Sequence, residues 1–213
     1  MTSPADAPLL RASGLACVRG GRRLFTDVSF ELARGALLQV RGANGSGKTS
    51  LLRIVCGLLP PDGGEIACGG RAIRDLGEEY HGLVAYVGHL NAIKDELDPA
   101  ENLRYAAKIS GLPATPPEMD GALRTFGLEG ARLPCKLLSQ GQKRRAALAR
   151  LKLSGGRPLW VLDEPFSALD AQGITVTRSL IEAHLAGGGA VLLTTHQEVG
   201  FAGSTVQSIE FSR

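Results

Sequence analysis

The sequence predicts an α/β fold built on a mostly parallel sheet, with an N-terminal antiparallel β portion and an inserted helical subdomain. Apolar runs of strand length alternate with segments of helical spacing along most of the chain, and this alternation is typical of a parallel sheet covered by helices. From about residue 91 to residue 153, helical segments instead follow one another and are separated by prolines. We therefore expect a single domain over residues 1–213 that carries a helical subdomain at approximately 91–153.

Strands are expected where short apolar runs lie between turn residues. The early runs are joined by turns such as Arg19–Arg22, so we expect that part of the sheet to be antiparallel. The predicted strands are Leu15–Val18, Val28–Leu32, Ala36–Arg41, Glu65–Cys68, Leu83–Val87, Leu159–Leu162 and Ala190–Thr194. The predicted helices are Lys48–Cys56, Ala100–Ile109, Glu118–Phe126, Gly141–Lys152 and Ile174–Leu185.

Composition and charge argue against several classes of protein. A net charge of +3 is too small to indicate binding to nucleic acid, so we expect no nucleic-acid partner. The four cysteines, Cys17, Cys56, Cys68 and Cys135, form no C-x-x-C pair, and we expect them to be reduced and buried. Met1–Pro8 lacks the basic start and apolar stretch of a signal peptide, and no segment has the roughly 18 consecutive apolar residues of a membrane span.

A glycine-rich loop follows the predicted strand Ala36–Arg41 and leads into the predicted helix at Lys48. It reads G-x-x-x-x-G-K-[ST], in which backbone N–H groups and a helix N-terminus converge on phosphate groups. The alternative is a glycine-rich loop that matches this pattern by chance. The position of the loop between a predicted strand and a predicted helix disfavours that alternative. The predicted nucleotide-binding residues are Gly42, Ala43, Asn44, Gly45, Ser46, Gly47, Lys48, Thr49 and Ser50. Lys48 is expected to reach the β- and γ-phosphates, and the Thr49 hydroxyl to bind Mg²⁺.

Two carboxylates end the apolar run Leu159–Leu162. A buried parallel strand places such residues at its carboxyl edge, where open α/β sheets bind ligands. We expect Asp163 to bind Mg²⁺, and Glu164 to polarise the water that attacks the γ-phosphate. A strand that merely ends in a solvated turn is the alternative, which the preceding phosphate-binding loop disfavours.

The segment Leu138–Gln142 opens a basic helix. Ser139 is a natural N-cap, Gly141 permits close backbone approach, and a helix N-terminus with a free hydroxyl attracts anions. The alternative is an ordinary capped surface helix with Lys143–Arg145 on its wet face. The position of the segment, about 90 residues after the glycine-rich loop and about 20 before Asp163, favours the functional interpretation.

A histidine follows the predicted strand Ala190–Thr194. His196 should therefore emerge at the same sheet edge, where its imidazole can hydrogen-bond the γ-phosphate or the attacking water. His81 and His184 have no comparable context, and we interpret both as ordinary structural histidines.

These motifs together resemble the ATP-binding domain of ABC transporters, a P-loop NTPase fold. The resemblance implies that two copies bind head-to-tail and enclose two ATP molecules. Ser139, Gly141 and Gln142 of one copy would then contact the ATP held by Lys48 of the other. The segment Ser167–Asp170 matches the family's D-loop, which crosses the dimer interface, and the helical subdomain would meet a membrane partner.

Further segments are similar to the haem exporter ATP-binding subunits of bacterial cytochrome c maturation: Tyr86–His89, Ile93–Leu97, Glu101–Leu103, Gly141–Leu151 and Thr194–Gln197. This narrower resemblance implies a peripheral subunit on the cytoplasmic face of the inner membrane, bound to an integral-membrane permease. ATP hydrolysis would then serve haem delivery to a periplasmic chaperone. Pumping of haem and release of a haem-loaded chaperone both remain open.

The chain departs from the ABC pattern at three places. The usual glutamine that binds Mg²⁺ falls on His89 or Leu90, and His89 is the candidate for a bond to water or the metal. The aromatic residue that stacks on adenine falls on Arg19, or on Val18 if the register slips, and the Arg19 guanidinium can stack in its place. Gln140 replaces the first glycine of the Leu138–Gln142 motif, which we expect to do little damage.

Three alternatives differ from this interpretation in their predicted features. Another small ABC exporter would carry the same motifs with a different cargo, because an ATPase subunit hardly encodes its cargo. A soluble ABC ATPase acting on nucleic acid or ribosomes would carry long insertions or a second ATPase domain. A small-molecule kinase would lack Leu138–Gln142.

Overall fold

The structure, a computed structural model, describes residues 8–203 and 205–211. The first seven residues, which belong to the segment without signal-peptide character, lie outside this part of the chain. Two compact units are present. The first takes in the chain up to Tyr86, Arg157–Asp163 and the chain from Glu182 onward, and the second takes in Val87–Gly156 and Glu164–Ile181. Within the described residues, no helix combines the length and apolarity that a bilayer crossing needs.

Strands and helices alternate irregularly along the chain. The strands are β1 (Leu10–Arg19), β2 (Arg22–Leu32), β3 (Ala36–Gly42), β4 (Gly63–Cys68), β5 (Arg71–Ala72), β6 (Val84–Val87), β7 (Leu159–Asp163), β8 (Ala190–Thr194) and β9 (Thr205–Phe211). The helices are α1 (Lys48–Val55), α2 (Ile73–Leu76), α3 (Glu78–Leu83), α4 (Pro99–Ile109), α5 (Pro116–Thr125), α6 (Gln140–Leu153) and α7 (Ala171–Ala186).

The first sheet has the order β2-β1-β4-β5 and is antiparallel, as predicted for the N-terminal portion. β1 alternates buried and solvent-facing positions, with Leu10 and Ala12 buried and Arg11 exposed between them. This period of two is what a strand needs when one face packs on a core. Leu10 pairs with Leu32 on one side and with Cys68 on the other, so apolar residues lie side by side across the sheet.

The second sheet has the order β6-β7-β8-β3-β9, and its pairs β7–β8, β8–β3 and β3–β9 are parallel. All five residues of β7 and all five of β8 are buried. Continuous apolar runs of this kind are typical of parallel strands covered on both faces. In the register, Thr194 pairs with Asp163 on one side and with Val40 on the other, so these strands end at the same edge.

Among the strands and α-helices of the described residues, four were not predicted from the sequence: β5, α2, α3 and β9. β5, α2 and α3 span only two, four and six residues, too few for a periodic pattern to emerge. β9 is largely exposed, with the sequence TVQSIEF, and therefore lacks an apolar run. It nevertheless supports the glycine-rich loop, because Phe211 pairs with Gly42.

Cys17, Cys56 and Cys68 lie in the core of the first unit, and Cys135 is buried in the second unit. The described cysteines are free and buried, which confirms the prediction. Burial raises the pKa of Cys56 far above its usual range, and it also raises the pKa of Tyr80, whose hydroxyl donates to the Val55 carbonyl at 2.6 Å. Both side chains therefore act as neutral core residues at physiological pH.

Three helices of the second unit, α4, α5 and α6, pack on one another. Each begins with a capping box, in which the N-cap side chain and the N3 side chain satisfy each other's backbone N–H groups. The N-caps are Asp98, Thr115 and Ser139. The start of each helix is therefore fixed by local sequence, which gives the N-terminus of α6 a defined position within this unit.

Candidate functional site

The glycine-rich loop leaves β3 through a turn that only glycine fits. Gly42 has φ 139°, and a Cβ built on it would lie 2.7 Å from the Phe211 carbonyl oxygen and 2.9 Å from Ser46 Oγ. A side chain would therefore collide with the backbone of β9. The close approach places Ser46 Oγ in a buried position, and this hydroxyl has no hydrogen-bond partner among the described residues. A phosphate oxygen of a bound nucleotide would satisfy it.

The Lys48 side chain folds back beneath the loop. Lys48 is 8% exposed, and its Nζ donates to the carbonyl oxygens of Gly42 at 2.7 Å and Ala43 at 3.1 Å. Neutral carbonyls are weaker partners for an ammonium group than charged phosphate oxygens are. These bonds hold Lys48 at the loop. An anionic ligand would bind its Nζ more strongly than the two carbonyl oxygens do.

Asp163 joins the ends of two strands to the first turn of α1. Its Oδ2 accepts a hydrogen bond from Thr49 Oγ1 at 2.9 Å, and its Oδ1 accepts one from Thr194 Oγ1 at 2.7 Å. The carboxylate is 2% exposed. The Thr49 hydroxyl and the Asp163 carboxylate are oxygen donors, the type that Mg²⁺ prefers, so this pair fits the metal.

His196 lies beside the glycine-rich loop, as its position after β8 predicts. Its Nε2 is 3.1 Å from Asn44 Oδ1, and the side chain is exposed. The imidazole is thus held at the loop by a residue of the loop itself. This geometry is compatible with the predicted contact to phosphate or water, which stays a prediction.

Arg19 ends β1 and is anchored by its in-plane N–H groups. Nη1 donates to the Val18 carbonyl at 2.6 Å and to Asp62 Oδ2 at 3.1 Å, and Nη2 donates to the Pro60 carbonyl at 3.2 Å. A guanidinium held by its edge can still stack through its flat face. The predicted role of Arg19 as a platform for the base therefore remains a prediction.

In the second unit, the N-terminus of α6 carries the predicted capping arrangement. Ser139 Oγ accepts from the Gln142 N–H at 3.2 Å, and Gln142 Oε1 accepts from the Ser139 N–H at 2.9 Å. The Ser139 side chain is exposed. Because its oxygen is used as an acceptor here, its hydroxyl proton can be donated to an anion. Gln142 was predicted to bind nucleotide. In this structure its side-chain oxygen accepts the Ser139 N–H of the capping box instead.

Gly141, in the first turn of α6, lies against the segment Ser167–Asp170. A Cβ on Gly141 would be 2.7 Å from the Ala168 carbonyl oxygen. Ala168 itself has φ 59°, a conformation that a residue with a side chain seldom adopts. Glycine at this position therefore brings the two predicted dimer-interface segments of this unit together.

Glu164 follows Asp163 directly along the chain and adopts φ 50°. Its carbonyl oxygen accepts hydrogen bonds from Arg144 Nη2 at 2.8 Å and from the Ser167 N–H at 3.1 Å. Arg144 is only 2% exposed. The alternative that placed Lys143–Arg145 together on a wet face is therefore wrong for Arg144, because the helix buries it among backbone acceptors.

The predicted position of the family's glutamine lies in the loop after β6. His89 and Leu90 are both exposed, and Leu90 reaches 82%. The Gly88 carbonyl, one residue earlier, accepts from Arg144 Nη1 at 2.9 Å. The role of His89 stays a prediction.

Two site residues escaped the sequence analysis. Thr194 ends β8 two positions before His196, and its hydroxyl binds Asp163. Arg144 lies on α6 and binds the Glu164 carbonyl. The position of Thr194 at the end of an apolar strand could have identified it, whereas Arg144 is one of three adjacent basic residues that sequence alone does not separate.

Gly141→Ala tests the close approach of α6 to Ala168. We expect a loss of about 1–3 kcal/mol in the free energy of unfolding, because the new Cβ collides with a backbone oxygen. Gly121→Ala in α5 is the matched control, since nothing lies within 4 Å of a Cβ there. It should raise stability by about 0.5–1 kcal/mol, as alanine does in a helix interior. Urea unfolding measures both, and equal effects at the two positions would contradict the packing described.

The chain is similar to known proteins over most of its length. A family described as ABC transporter matches residues 25–167. The cytochrome c biogenesis ATP-binding export protein CcmA of Nitrosospira multiformis is 48% identical over 206 residues, which are 96% of this chain and 100% of that protein. The protein of the same name from Dechloromonas aromatica is 48% identical over 202 residues, which are 94% and 98% of the two chains.

A solved structure of an ATP-binding subunit of an ABC transporter shares 31% sequence identity with this chain and gives a TM-score of 0.76. The match covers 88% of this chain and 79% of that one. The fold class and the family resemblance predicted from the sequence are thereby confirmed. The chain belongs to the ATP-binding proteins of the ABC transporter family, and within it to the group of cytochrome c biogenesis ATP-binding export proteins.

Proposed function

We propose that this chain is the ATP-hydrolysing subunit of a membrane complex that serves haem export, or release of a haem chaperone, during c-type cytochrome biogenesis. The observation that carries the ATPase part is the buried Asp163, whose carboxylate is hydrogen-bonded to Thr49 at the glycine-rich loop and to Thr194 at the end of β8. The cytochrome part is supported by the relatives, which are named for cytochrome c biogenesis and export.

ATP binding uses the first unit. The backbone N–H groups of residues 42–50 and the N-terminal end of α1 offer positive potential to the triphosphate. Lys48 Nζ exchanges its carbonyl partners for phosphate oxygens. Thr49 and Asp163 would hold Mg²⁺, which supplies positive charge against the β- and γ-phosphate oxygens when bound.

Hydrolysis uses the carboxylate of Glu164. It accepts the proton of a water molecule as the water oxygen attacks the γ-phosphorus, and the bond from that phosphorus to the β–γ bridging oxygen breaks to give ADP and inorganic phosphate. His196, held at the loop by Asn44, hydrogen-bonds the γ-phosphate or the attacking water. The left-handed conformation of Glu164 is the kind of backbone strain that is found at functional sites.

Two copies would be needed for turnover. Ser139 is exposed at the N-terminus of a helix of fourteen residues, and the free N–H groups of such a helix end attract anions. We infer that Ser139, Gly141 and Gln142 of one copy contact the ATP bound by the other copy in a head-to-tail homodimer. ATP would then join the copies, and hydrolysis would weaken the interface by charge repulsion and lost contacts.

The membrane partner would be an integral-membrane permease of a haem exporter, with this subunit peripheral on the cytoplasmic face of the inner membrane. The second unit offers apolar side chains for such a contact. Leu90, Tyr105 and Ile109 are 82%, 44% and 68% exposed. His89, beside Leu90, would report the nucleotide state to that partner. The net charge of +3 gives no support to a nucleic-acid partner.

Glu164→Gln tests the ATPase mechanism. We expect ATP binding to be preserved, because the phosphate contacts lie on other residues, and turnover to fall by about 10²–10⁴-fold, because the base is lost. Phosphate release by the complex with its membrane partner measures this. Glu79→Gln is the control, since Glu79 forms an exposed pair with Arg71 and should leave turnover unchanged. Wild-type hydrolysis by Glu164→Gln would contradict the assignment.

Complementation tests the cytochrome part of the proposal. In a bacterium that lacks its own protein of this family, the wild-type chain should restore c-type cytochromes, as detected by haem staining of membrane proteins. Lys48→Ala should not restore them, because it removes a charged contact to ATP. A wild-type chain that hydrolyses ATP with the host permease but restores no cytochrome would show that its cargo is different.

A further inference from the structure

The basic helix α6 contains an arginine that is removed from solvent. Arg144 is 2% exposed and is one of the largest fully buried side chains of the described residues, whereas its neighbours Lys143 and Arg145 are half-buried. Burying a guanidinium group is costly unless its donors find acceptors, and an apolar side chain would fill the same space without that cost. The acceptors that Arg144 contacts therefore indicate its role.

Those acceptors lie on two segments of the second unit. Nη1 donates to the Gly88 carbonyl at 2.9 Å and to Asn91 Oδ1 at 3.1 Å. Nη2 donates to the Glu164 carbonyl at 2.8 Å. A guanidinium is a rigid planar group with several donors, so these contacts fix the distances between the segments more firmly than a flexible lysine would.

Arg144 binds the Glu164 carbonyl at a point where the backbone has an unfavourable conformation. Glu164 has φ 50° and is followed by Pro165, although the residue before a proline favours an extended conformation. The direction of the Glu164 side chain depends on that backbone conformation. A charged donor on the carbonyl of Glu164 therefore helps to hold the carboxylate in one orientation.

The contacts to the loop after β6 are reinforced from the same helix. Arg150 Nη2 donates to the Asn91 carbonyl at 3.3 Å, and Lys143 Nζ lies 2.7 Å from Asp95 Oδ1. The loop that contains His89 is thus bound along one side of α6, while the N-terminus of α6 presents Ser139. Arg144 connects this loop and helix to the turn at Glu164.

We propose that Arg144 is a positioning residue for ATP hydrolysis, which links the loop at Gly88–Asn91 and the helix that presents Ser139 to the orientation of Glu164. It does so without touching ATP. This inference rests on the proposed role of Glu164 in hydrolysis. If Arg144 has this role, the orientation of the Glu164 carboxylate changes when the membrane partner displaces the loop. It also changes when a second copy displaces α6.

Arg144→Lys and Arg144→Gln test the proposal in the assembled complex, with Arg145→Gln as the matched control. Arg145 follows Arg144 in the sequence and lines a cavity with Thr125 and Gln172. We expect kcat to fall by at least about tenfold in both Arg144 variants, because small misplacements of reacting groups cost about 10²-fold. The affinity for a fluorescent ATP analogue should stay within about twofold of wild type. Arg145→Gln should keep its kcat.

A purely structural role for Arg144 is distinguished by two further measurements. In the Glu164→Gln background, Arg144→Lys should cause no additional loss in single-turnover hydrolysis, because residues that act through one another are not additive. An additional loss of the same factor as in the wild-type background would overturn the proposal. Asn91→Ala removes one acceptor and leaves the arginine in place, so it should lower kcat several-fold at unchanged affinity even if the Arg144 variants fail to fold. An unchanged kcat in Asn91→Ala would also overturn it.

The two proposals fail separately. If Glu164→Gln hydrolyses ATP as fast as wild type, the proposed mechanism fails. If Glu164→Gln is inactive while Arg144→Lys and Arg144→Gln fold and retain the wild-type kcat, only the role of Arg144 fails.

Discussion

The arrangement of side chains around the glycine-rich loop depends on the register of three parallel strands. Thr194 pairs with Asp163 and with Val40, so β7, β8 and β3 end at one edge of the sheet. That register brings the Asp163 carboxylate within hydrogen-bond distance of both Thr49 and Thr194. A carboxylate that is 2% exposed needs such partners, since burying an unsatisfied charge is expensive. A shift of one strand by a single residue would separate Asp163 from the glycine-rich loop.

The second unit holds the N-terminus of α6 and the turn at Glu164 in defined positions. Capping boxes fix where α4, α5 and α6 begin, and Arg144 joins α6 to the loop after β6 and to the turn at Glu164. Capping bonds within each helix start and long-range bonds from Arg144 thus order a region rich in loops and prolines. We propose that this order is what allows binding of ATP, of a second copy and of a permease to influence one catalytic carboxylate.

The sequence predicted the buried parallel strands and the long helices well, because each has a local physical cause. For β1 and β2, which span ten and eleven residues, the predicted segments cover only four and five of them. Continuous apolar runs identified β7 and β8, and the glycine-rich loop identified the start of α1. The exposed edge strand β9 was missed because it buries little. Arg144 was missed because burial of one arginine among three adjacent basic residues depends on tertiary packing. The Asn44–His196 contact likewise joins residues 152 positions apart, a pairing that spacing does not reveal.

We propose that one copy completes the ATP site of another. This proposal is tested most directly by mixing two differently tagged chains, one with Ser139→Cys and the other with Ala43→Cys. A short thiol cross-linker is then added with or without a non-hydrolysable ATP analogue. The described native cysteines are buried and should not interfere. We predict a mixed cross-linked dimer that forms only with the analogue, and none when Glu79→Cys replaces Ser139→Cys. Absence of the mixed dimer in the presence of bound analogue would contradict the account.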